Sequence, residues 1–166
     1  MSNQPFAKAL RFLLPVALIS AILAGCGSNP VQDDLIHYIN EEVLPLADEE
    51  NAITGAYESV TGENYVDDES LYAELETLIP KYRDYVAKIE EINPETDEVK
   101  ELHELYIAAS NKQYNAMVQI SAALENQDVN LVSEANGKLD EARSGMREYR
   151  NRLEALAKEH DVEFEK

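Results

Sequence analysis

The sequence predicts an all-α protein, an antiparallel up-down-up-down four-helix bundle, and three observations carry that prediction. Apolar residues recur at steps of three and four in four successive segments. Short polar stretches rich in Asn, Asp, Gly and Pro separate those segments. No run alternates apolar and polar residues with the two-residue period of a half-buried strand. A chain of 166 residues, 45% of them hydrophobic, suits one domain with a core of its own. The competing architecture is an extended array of helical hairpins, but no repeat signature of the tetratricopeptide kind is present.

The first helical segment is expected from about Pro30 to Val60. Pro30 suits a first turn, where its missing N–H costs nothing. Leu35, Ile39, Val43, Leu46, Ile53, Tyr57 and Val60 form one stripe, and Glu50 falls where that stripe wants an apolar residue. Pro45 should kink or split the helix near Glu41 to Leu44, and Gly55 also lies inside it. Residues 61–70 read as a loop, with Asp68 or Ser70 as the N-cap of the next helix.

The second stripe is Leu71, Leu75, Leu78, Tyr82, Val86, Ile89 and Ile92, with a bend expected at Pro80 and a stop at Asn93-Pro94. The third is Val99, Leu102, Tyr106, Ala109, Ala116, Met117, Ile120 and Leu124, interrupted by Gln113. Asn126-Gln127-Asp128 is a short turn, and Asp128 is a good N-cap. The fourth stripe, Val132, Ala135, Leu139, Ala142, Met146, Tyr149, Leu153 and Leu156, alternates steps of three and four without a break. It should end near Lys158 to His160, with Lys158 well placed against the helix C-terminus. Short connections favour antiparallel neighbours, and tyrosine must supply most of the aromatic filling because the chain has no Trp.

Lys plus Arg is 14 against 33 acids, a net charge of -19, which argues against a nucleic-acid partner. Residues 31–80 hold no Lys or Arg at all. Arg143, Arg147 and Arg150 share one face of the fourth helix, and electrostatic matching to the acidic first helix is expected there. Each exposed pair contributes well under about 1 kcal/mol.

The N-terminal segment is an address. Residues 1–11 carry Lys8 and Arg11 and no acid, followed by the apolar run Phe12 to Ala24. That run is 13 residues long, whereas a membrane-spanning helix needs about 20. Leu23-Ala24-Gly25-Cys26 resembles the lipobox of bacterial lipoprotein precursors, and the resemblance covers residues 1–26 only. It implies a thioether-linked lipid on Cys26, cleavage between Gly25 and Cys26, and acylation such as palmitate on the new amino group. Two or three chains anchor firmly where one anchors marginally, since each buried CH₂ contributes about 0.8 kcal/mol. Cys26 is the single Cys of the chain and stands at the one position this chemistry requires.

This divides the chain into a signal peptide (1–25), a lipidated Cys with a short tether (26–30), a helical ectodomain (31–160) and an acidic tail (161–166). The tether after Cys26 spans at most about 10 Å. The start of the first helix, the 93–97 turn and the C-terminus should therefore face the bilayer, and the 61–70 and 125–130 connections should point away from it.

No catalytic, cofactor or metal residues emerge. His37, His103 and His160 all lack the Glu three residues before them that a di-iron carboxylate bundle uses, and they read as surface or interface polar residues. Glu63, Asn64, Asp67, Asp68 and Glu69 lack the alternating spacing of a Ca²⁺ loop. There is no Gly-x-Ser-x-Gly elbow and no phosphate-cradling glycine loop. The expectation is a non-enzymatic, membrane-anchored lipoprotein on the extracytoplasmic face that binds a protein, a peptide or a cell-wall polymer. The alternatives are a small-ligand or metal-ion-handling lipoprotein and an immunity-type protective one.

Overall fold

A computed structural model describes residues 22–24 and 29–164 of the chain. Four helical arms run antiparallel to one another, as the stripes predict, and the bundle rather than the extended array is observed.

The first arm is composite. It consists of α1 (Pro30–His37), a π-helical stretch (Tyr38–Val43), a 3₁₀ turn (Leu44–Leu46) and α2 (Ala47–Glu58). Pro45 explains the sequence of forms. It cannot donate to a carbonyl four residues back, so the hydrogen-bond register widens before it and tightens at it. The arm begins at Asn29, whose side-chain oxygen accepts from the amides of Val31 at 3.1 Å and Gln32 at 3.5 Å.

The second arm is α3 (Asp68–Glu91). Its N-cap is Asp67, not Asp68 or Ser70. A cap needs extended backbone, and Asp67 has it (φ -157°, ψ 168°), while Asp68 is already helical. Its carboxylate accepts from the Ser70 amide at 2.7 Å. The third arm is α4 (Asp97–Asn126) and the fourth is α5 (Val129–Glu159). Gln127 closes α4 in the left-handed region (φ 53°), and Asp128 caps α5 through the Asn130 amide at 2.9 Å.

The stripes meet in one core. Leu35, Ile39, Tyr57, Leu71, Leu75, Ile89, Val99, Leu102, Met117, Ile120, Leu139 and Leu156 are all buried in it. The third arm is central, packing on α5, α3 and α1, while α2 packs on α3. Helices α4 and α5 approach closely at Gly145, where a Cβ would lie 3.3 Å from that of Ala109.

The tail departs from expectation. After His160 the chain turns through Asp161 in the left-handed region (φ 53°), and Val162–Phe164 form a strand, β2. It pairs antiparallel with β1 (Ile22–Ala24), Leu23 opposite Glu163. Three-residue strands are too short to leave a periodicity in the sequence.

Side chains tie one end of the bundle together. Gln32 Nε2 donates to the carbonyls of His160 at 2.7 Å and Asp161 at 3.3 Å. Asn29 Nδ2 lies 2.8 Å from His160 Nδ1. Asp34 accepts from the amides of Glu95 and Thr96. The start of the first arm, the α3–α4 turn and the end of α5 therefore sit together, as antiparallel topology requires.

Candidate functional site

The two polar interruptions of the stripes mark the site. Glu50 and Gln113 are not turned outward; they are 2% and 3% exposed, and His103 is buried likewise at 3%. Six tyrosines, Tyr38, Tyr57, Tyr82, Tyr85, Tyr106 and Tyr149, are buried as well, drawn from every arm. Buried hydroxyls need partners, and here most of them find one another.

The direction of the hydrogen bonds follows from one carbonyl. His103 Nε2 lies 3.1 Å from the Ile89 oxygen. A carbonyl only accepts, so Nε2 carries the ring proton and Nδ1 is the bare nitrogen. Burial keeps the imidazole pKa below its usual 6.5, which favours that neutral form. The Tyr38 hydroxyl, 3.1 Å from Nδ1, must then donate to it. With its proton spent, Tyr38 accepts from the Tyr149 hydroxyl at 3.3 Å.

Ring contacts extend the network. Tyr149 stacks on Tyr106, centroids 5.0 Å apart, and Tyr106 shares a hydroxyl–hydroxyl bond with Tyr85. The Glu50 carboxylate lies close enough to Tyr85 for its charge to raise that phenol's pKa. Tyr85 lies 5.6 Å from Tyr82, and Tyr82 stacks at 6.4 Å on half-buried Tyr114. Burial pushes the pKa of all six buried phenols upward. The nearby Glu50 charge adds to the rise at Tyr82, Tyr85, Tyr106 and Tyr149. Tyr57 OH and Gln113 Nε2 are buried with no hydrogen-bond partner among the described residues. The cluster offers proton positions and oxidisable rings but no face that a bulky substrate reaches.

The residues singled out from sequence are dispersed. Cys26 and Gly25, the lipidation and cleavage positions, lie outside the described residues. His37 is exposed and 3.4 Å from Glu42, while His160 serves the Asn29 contact. Among the described residues no group of three or more His, Cys, Asp or Glu is arranged to hold a metal ion. In the acidic loop, Asp67 caps α3, and that bond lowers its pKa; Asp68 accepts from Tyr65 at 2.7 Å.

Of the arginine face, Arg143 reaches the first arm, where its charge acts on the Tyr57 phenol. Arg143 bonds Asp140 on its own helix at 2.8 Å. Arg147 lines an open groove between α4 and α5 with Glu101, Leu105 and Arg152. Glu49 of the first arm pairs across to Lys88 of α3 at 2.6 Å. The tyrosine–histidine network went unread in the sequence, although Glu50 and Gln113 stood out as polar interruptions of their stripes.

Among the described residues no helix is long and apolar enough to cross a membrane. No protein-family model matches the chain, and neither a curated protein nor a solved structure matches it.

Proposed function

We propose that the protein is a membrane-anchored lipoprotein of the extracytoplasmic face, held by lipid on Cys26, whose helical bundle is a non-enzymatic binding or envelope-interaction module. The observation that carries this reading is the placement of the single Cys at the end of Leu23-Ala24-Gly25-Cys26, behind a basic segment and a short apolar run. The arrangement of the bundle supports it. The start of the first arm and the end of α5 lie at one end, so a short tether from Cys26 sets that end against the bilayer. The opposite end then faces outward, and it carries the exposed Val66 and Val129 (76% and 61%) among acidic residues. That tip is the surface for a protein, peptide or cell-wall polymer.

Cys26→Ser tests the anchor. Fractionated cells should show the variant leaving the membrane fraction or keeping its unprocessed signal. Mass spectrometry of the native protein should show a diacylated or triacylated N-terminal Cys. A bare thiol in the native product, or normal processing and membrane retention of Cys26→Ser, overturns the reading.

A further inference from the structure

We propose that Tyr114, Tyr82, Tyr85, Tyr106, Tyr149 and Tyr38 form a one-electron relay that takes an oxidising equivalent from outside and rests it on Tyr38 beside His103. The chain is continuous. It runs from half-buried Tyr114 through ring contacts at 6.4 and 5.6 Å, a hydroxyl bond, a stack at 5.0 Å and a second hydroxyl bond at 3.3 Å. The sequence contains no Trp, so tyrosine is the readily oxidised aromatic of the core.

A phenol that loses an electron becomes a strong acid, and in a buried site the oxidation is blocked unless the proton has somewhere to go. Tyr38 has that place. Its hydroxyl already points at the bare Nδ1 of His103, 3.1 Å away. The substrate class is a one-electron oxidant, such as a peroxyl radical or a high-valent metal complex. The oxidant gains one electron from Tyr114, and each tyrosine in turn is refilled by its inner neighbour. At the end the Tyr38 O–H bond breaks, its proton forms an N–H bond at Nδ1, and Tyr38 is left as a neutral phenoxyl radical. His103, now an imidazolium, still donates from Nε2 to Ile89. A one-electron reductant returns the electron, and the proton goes back to the phenol. Tyr85, whose hydroxyl bonds that of Tyr106, is the station midway.

The test uses the full-length protein in detergent, with isotope-labelled histidine, oxidised by flash-generated ruthenium(III) tris-bipyridyl and frozen for electron paramagnetic and double resonance. The expected result is a tyrosyl radical coupled to a histidine nitrogen, lost in Tyr38→Phe and not formed in Tyr114→Phe. The labelled wild-type measurement stands even where a variant folds poorly. A radical without nitrogen coupling, an undiminished signal in folded Tyr38→Phe, or only dityrosine cross-links between molecules overturns the proposal.

Discussion

The carboxylate of Asp34 on α1 caps α4 from outside that helix. Its Oδ2 accepts the Thr96 hydroxyl at 2.6 Å and the Thr96 amide at 2.7 Å, and Oδ1 accepts the Glu95 amide at 3.0 Å. Thr96 occupies the N-cap position but makes no cap bond with its own side chain. One buried carboxylate thus pairs the two amides that lead into a 30-residue helix and locks the first arm to the α3–α4 turn. Asp34→Ala should cost about 1–3 kcal/mol in chemical denaturation, since it leaves buried donors unpaired. Asp33→Asn, exposed one position earlier, should change stability by no more than about 0.5 kcal/mol. Equal effects of the two substitutions would remove Asp34 from this role.

What was legible in the sequence was whatever depends on neighbours within a helix. The four stripes placed the arms, and Pro45 announced the break in the first because a missing donor is a local fact. Asp34 was invisible as a cap because its partners are about sixty positions away and meet it only once the bundle closes. The same holds for His103. Nothing around it in the chain says that Tyr38 and the Ile89 carbonyl will fix its tautomer. Glu50 and Gln113 were readable as interruptions, and a carboxylate and an amide breaking two stripes predict either an outward face or a buried polar layer. The periodicity could not choose between these; the ring of tyrosine hydroxyls chose.

Helix glycines give a local test of how tightly the arms approach. Added methyls at Gly55 and Gly137 meet nothing within 4 Å, so Gly→Ala at each removes a backbone-entropy cost without a clash. Each should raise stability by about 0.5–1 kcal/mol in urea unfolding. Gly145→Ala presses on Ala109 at 3.3 Å and should gain less or lose outright, because the α4–α5 spacing must yield. If all three behave alike, the close approach at Gly145 is not a constraint.

The depressed pKa of His103 makes the fold acid-sensitive in a definite window. Well above the unfolded value of 6.5 both states hold the ring neutral and no linkage acts. As pH falls through 6.5, the unfolded chain takes up a proton that the buried ring refuses, so stability falls until the lower folded pKa is passed. The urea midpoint should therefore drop between about pH 7 and pH 5. His103→Gln should start lower at neutral pH, having lost the Tyr38 acceptor geometry, yet show a shallower drop across the same window. An unchanged pH slope in that variant would assign the effect to other groups.

The buried phenols set the opposite limit. Their pKa values are raised by burial, so the folded state keeps protons that the unfolded chain releases above about pH 10. Stability from this source is complete below the unfolded value and is lost as pH climbs past it. Of the nine tyrosines, the six buried ones should therefore ionise together, in the same step in which the helical circular dichroism collapses. Alkaline titration that follows tyrosinate absorbance and ellipticity side by side measures this directly. Phenolate absorbance reaching its full value while the helices remain intact would mean that water enters the tyrosine layer of the native bundle.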